Sequence, residues 1–123
     1  MTFICYIAAD VPLTARSYQA RDLDVHFNKY TKGIKGFNLP LQIEIEYGIL
    51  TKKELDILLD YLYEHADQYR KCTFQVANFI NSTKHSMKVL QRKKVLLHQI
   101  RSPEELLLEE GELITIKKIP FIY

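Results

Sequence analysis

A chain of 123 residues makes one ordinary domain and is too short for two with good cores. With 47% hydrophobic and 26% charged residues, and only four glycines and four prolines, it has neither a disordered nor a collagen-like composition. Seventeen Lys and Arg against fifteen Asp and Glu leave a formal charge of +2, which by itself demands no polyanionic partner.

Phe3 to Ala9 is a continuous apolar run ended by Asp10-Val11-Pro12, the pattern of a strand buried on both faces at the centre of a sheet. Residues 13–22 have mixed polarity without a period and read as a loop with at most a short helical turn. Val25, Phe27 and Lys29 alternate with Asp24, His26 and Asn28, as in a half-buried strand. Gly33 and Gly36 mark a turn region closed by Pro40. Leu41, Ile43, Ile45 and Tyr47 alternate with Gln42, Glu44 and Glu46, which predicts a strand whose acidic face is solvated or guards an edge.

Thr51 followed by Glu54 is a capping box, with Leu50 and Leu55 placed to form a hydrophobic staple. Leu55, Leu58, Leu59, Leu62, Ala66 and Tyr69 then recur at helical spacing, so an amphipathic helix is predicted over 52–69. Residues 73–80 return to strand and end at Asn81-Ser82. The 85–100 stretch fits two strands with a turn near Arg92-Lys93, or a single helix, and its β-branched content favours strands. Ser102-Pro103-Glu104-Glu105 starts a short helix over 103–110 that stops at Gly111, and residues 113–117 form a last strand. The tail Ile119-Pro120-Phe121-Ile122-Tyr123 is apolar enough to require a docking surface on the body or on another chain. The expected fold is therefore α+β. It is one domain over 1–123, a mainly antiparallel sheet of about five strands packed by the 52–69 helix and the short helix.

Chemistry is harder to find. Cys5 and Cys72 both lie in apolar stretches, as inert buried thiols do, and no Cys-x-x-Cys pair offers a zinc site. Cys5 with a distant histidine is a conceivable nucleophile pair, but a thiol within an apolar strand is ordinarily packing. The histidines at 26, 65, 85 and 98 are too far apart in sequence for a metal-ligand spacing, so no metal or other cofactor is expected. Asp24 and His26 share one strand face, where a carboxylate can orient an imidazole. His65 reads as a boundary residue with one wet nitrogen, and Tyr61, Tyr63 and Tyr69 as helix-face packing with hydroxyls reaching water. Gly33-Ile34-Lys35-Gly36 has the Gly-x-x-Gly form that clamps nucleotides in KH-type modules, but here it lies between strand-like runs instead of helices. A turn requiring positive φ accounts for both glycines. The N-terminus lacks a secretory pattern and no apolar stretch reaches the roughly 20 residues of a membrane span, so a cytoplasmic location is expected.

The small net charge hides a segregation. Residues 44–67 carry seven acids and two bases, 68–103 carry eight bases and no acid, and 104–112 carry five acids and no base. Acidic flanks can neutralise a basic middle across a packed interface. Alternatively Lys84, Lys88, Arg92, Lys93 and Lys94 form a basic patch for phosphate backbones or an acidic protein face. The expectation is a small non-enzymatic interaction protein: a regulator, inhibitor or immunity-type partner, with a protein or a second copy of the chain as its partner. Self-association would run through the C-terminal strand and tail. Nucleic-acid binding through the 84–94 patch is the alternative, and a small enzyme with a spatially assembled His, Asp and Cys site is the third reading.

Overall fold

The computed structural model describes residues 3–20, 23–80 and 89–120. Seven strands form one mixed sheet: β1 (Phe3–Ala9), β2 (Arg16–Ala20), β3 (Leu23–Lys29), β4 (Leu41–Glu46), β5 (Cys72–Ile80), β6 (Gln91–Leu96) and β7 (Glu112–Lys118). Their order is β2-β3-β4-β1-β5-β7-β6, antiparallel throughout except for the parallel β6–β7 pair. The α+β class stands, but the sheet has seven strands where about five were expected. Two segments differ from the reading: one holds a strand where none was expected, and the other holds one strand among its described residues where two were favoured.

One is residues 13–22, where β2 pairs with β3 along its whole length. An edge strand meets the core on one side only, so its side chains carry a weak hydrophobic signal. Tyr18 is its one aromatic anchor, edge-on to Phe27 at 5.4 Å. The other is the 85–100 stretch, of which 85–88 lie outside the described residues. The expected turn at Arg92-Lys93 is instead the interior of β6, and residues 97–99 form a single 3₁₀ turn.

β1 is central, as its unbroken apolar run required, and β4 lies beside it in the sheet interior, so β4 guards no edge. A β-bulge between Ile7 and Ala8 pairs Ile7 with Ile43 but Ala8 with Leu41, leaving Gln42 unopposed. The bulge breaks the 41-43-45 alternation: Ile43 and Ile45 enter the helix-side core, while Leu41 packs with Tyr6 on the other face.

The helix α1 (Lys52–Ala66) has the expected capping box, with Glu54 N–H donating to Thr51 Oγ1 and Glu54 Oε1 accepting from Thr51 N–H at 2.9 Å. It ends three residues before the expected position 69, with the Lys118 ammonium donating to the Ala66 carbonyl at 2.8 Å. Cationic groups favour the negative end of a helix. The helix lays Leu55, Leu58, Tyr61, Leu62, His65 and Ala66 on one face of the sheet. Leu97, Ile100, Leu106 and Leu108 extend that cover. The short helix expected over 103–110 is one 3₁₀ turn, Pro103–Leu106, opened by Glu105 accepting from the Ser102 N–H at 2.9 Å.

Phe74 and Phe79 are both fully buried but on opposite faces, because an odd separation along a strand changes sides. Phe79 packs with Tyr6, Ala77 and Leu113 beneath residues 30–40, which cross the second face as a strap between β3 and β4. The strap is tied down by Gln75, whose Oε1 accepts from Asn38 N–H at 2.9 Å and Leu39 N–H at 3.2 Å. β7 is hydrogen-bonded on both sides, so the open edges of the sheet belong to β2 and β6 and none to the C-terminal strand. Of the apolar tail, Ile119 is exposed and Pro120 half-buried, and residues 121–123 lie outside the described residues.

Candidate functional site

The groups that chemistry would require are dispersed. Cys5 is wholly buried in the central strand, and burial pushes its thiol far above the usual range. Cys72 is buried at the start of β5, its thiol also raised by burial first and by Asp10 second. His98 is exposed on the 97–99 turn. Asp24 and His26 do share a face of β3, but the imidazole partner is Ser17, directly opposite on β2, whose Oγ lies 2.8 Å from His26 Nδ1 in solvent. Among the described residues no three His, Cys, Asp or Glu gather as metal ligands would.

His65 is the residue most at odds with the sequence reading. It is 2% exposed, with both nitrogens bonded to protein. Nε2 accepts from the Thr14 backbone N–H at 3.2 Å and lies 2.9 Å from Thr14 Oγ1, and Nδ1 donates to the Tyr61 carbonyl at 2.8 Å. That pattern requires the neutral ring. Burial lowers its pKa, a tendency opposed by the Tyr61 carbonyl and reinforced by the charges of Arg16 and Lys29. Tyr61 is equally buried, stacked on Phe27 at 4.1 Å, and donates its hydroxyl to the Thr14 carbonyl at 2.7 Å instead of reaching water. Together the pair pins residue 14 to the helix. Tyr63 does reach the surface, while Tyr69 lies beyond the helix end.

The face of the sheet opposite α1 is different in kind. Strand alternation brings Asp24 from β3 and Glu44 and Glu46 from β4 to one end of it. Glu44 is half-buried against the Tyr6 hydroxyl, which burial, Glu44 and Tyr30 together keep protonated above the usual phenol range. At the other end stand Arg92 and Lys94 from β6 and Lys117 from β7. The strap lies between the two ends.

The five bases singled out in the sequence do not form one patch. Lys84 and Lys88 lie outside the described residues. Arg92 and Lys94 face the strap side, while Lys93 turns to the other side of the sheet and pairs with Glu112 at 3.4 Å. That is the one ion pair between the basic middle and an acidic flank among the described residues. The Arg92 guanidinium donates to the Gly36 carbonyl and so ties the strap to the edge strand. Lys94 has no ion-pair or hydrogen-bond partner among the described residues, and neither has Lys117, which sequence reasoning missed.

Between the strap and these bases runs a groove of about 450 Å³, lined by Asn38, Thr73, Arg92, Lys94, Thr115 and Lys117 and floored by Gln75. Among the described residues no carboxylate lines it. A second hollow of about 320 Å³ lies at the C-terminal end of α1, between Tyr63, Leu97 and Ile119. Two of its polar groups already have partners: the Tyr63 hydroxyl donates to the Leu97 carbonyl at 3.2 Å, and Lys118 holds Ala66. The groove offers the unpaired donors of Lys94 and Lys117.

No family model, curated protein or solved structure matches this chain. None of the helices among the described residues is long and apolar enough to cross a membrane.

Proposed function

We propose that the chain is a non-enzymatic interaction protein that presents the sheet face opposite α1 to a macromolecular partner. One observation carries this reading. The helix and both 3₁₀ turns cover one face of the sheet, while the other face is divided by the strap into an acidic end at β3–β4 and a basic end at β6–β7. Segregated charge on an open surface steers encounter and sets the orientation of a partner. Within a single fold it supplies little stability.

Affinity capture with three baits tests the role: wild type, an open-face double variant K94E/K117E, and a helix-face double variant D56K/D60K. All four positions are exposed, so the folds should survive. A species held by the wild type and the helix-face bait, and lost by the open-face bait, is the expected result. Equal loss from both variants, or nothing held above the bare resin, would sink the reading.

A further inference from the structure

Building on that binding role, we propose that the groove between the strap and β6 takes a single-stranded phosphodiester chain, gripped by its phosphates and not by its bases. Register places its donors in rows. Lys94 lies beside Thr115, which pairs with Gln75, and the next row on the same face sets Leu96, Lys117 and Thr73 side by side. Arg92 stands one row above Lys94, about 6.6 Å along the strand. The three cations therefore recur at intervals comparable to the step between successive phosphates of an extended strand. The threonine hydroxyls between them are hydrogen-bond donors to non-bridging oxygens.

Among the described residues Lys94 and Lys117 have no competing carboxylate in the groove, and Arg92 retains N–H donors beyond the one on Gly36. The strap residues Asn38 and Leu39 wall the other side. Among the described residues no aromatic ring lines the groove: Phe74 faces α1 and Phe79 is sealed under the strap. Bases consequently have no stacking platform, and affinity depends on charge and is indifferent to sequence.

Fluorescence anisotropy of labelled oligothymidylate and oligouridylate across a salt series tests this, with an acidic peptide of equal charge as a third probe. Three neutralised phosphates on a single strand give a log–log salt slope of about −2, so affinity falls roughly 20-fold between about 50 and 200 mM salt. K94Q/K117Q should reduce that slope to about one third and weaken low-salt binding at least tenfold. K53Q, on the exposed side of α1, should change neither. Each lysine singly replaced serves if the double variant loses its fold by circular dichroism. Equal binding of the deoxy and ribo strands identifies the phosphate as the shared determinant, while a preference for the ribo strand adds the threonines as readers of the 2′-hydroxyl. No binding of either oligonucleotide at low salt overturns the proposal, as does an unchanged slope in the double variant. Tighter binding of the acidic peptide overturns it too, while leaving the interaction role of the face intact.

Discussion

His65 shows how one buried ring links pH to stability. The unfolded imidazole takes a proton near pH 6.5, whereas the folded ring, buried and bonded at both nitrogens, does so only at lower pH. Between those two values the unfolded chain binds more protons. The contribution of neutral His65 is therefore present above about pH 6.5 and is lost as pH falls below it, until the folded ring titrates in turn. Urea midpoints taken between about pH 7.5 and 5.5 should show this decline, and H65Q should flatten it; an equal slope in H65Q would assign it to another group. The strap glycines give a second contrast at this scale. Gly36 has φ +114° and a Cβ there would come within 2.5 Å of Val89, so G36A should cost about 1–3 kcal/mol. Gly33 has neither a positive φ nor any atom within 4 Å of such a Cβ, so positive φ explains one of the two glycines and not both. G33A should leave stability unchanged or raise it by about 0.5 kcal/mol, because it restricts the unfolded chain. Chemical denaturation of the two variants reads the difference directly.

Among the elements, α1 was the most legible, because a capping box and a 3.6-residue period are local signals and need no knowledge of what packs against them. T51A should cost about 1 kcal/mol in urea denaturation, since it leaves the Glu54 N–H without its acceptor; no change would mean that water replaces the threonine without loss. β1 and β5 were legible for a different reason: both are buried on two faces and carry the apolar content to show it. β2 was not, and β6 was legible as strand but not in its bounds, because the two edge strands are the ones whose residues answer to solvent as much as to the core. The run Arg92-Lys93-Lys94 resembles a turn in sequence and is the middle of a strand, where bases on an edge discourage pairing with other chains. The same alternation divides the bases between two faces, so a patch counted along the chain differs from a patch on the surface. Lys117 joined the groove only through the pairing of β6 with β7.

For the whole molecule, the order β2-β3-β4-β1-β5-β7-β6 has consequences for folding. β1 cannot be flanked until residues 41–46 and 72–80 have both arrived, so its hydrogen bonds wait on long loop closures. Topologies dominated by such distant pairings fold in milliseconds to seconds, and stopped-flow refolding should give a main phase in that range. A microsecond phase carrying most of the amplitude would contradict this topology. Charge also acts at this scale: Glu44 and Glu46 are brought to one end of a sheet face and Arg92, Lys94 and Lys117 to the other, while Lys93 pairs with Glu112 on the opposite side.

From its residues alone the chain determined its class, its central strand, its capped helix and the sign of the charge on each segment. Those properties follow from local pattern and composition. Tertiary structure decided the strand number, the burial of His65 and Tyr61, the shift of Leu41 to the second face, and which bases stand together. Each of these depends on which strand lies beside which, and pairing between residues far apart in sequence leaves no periodic trace in either segment.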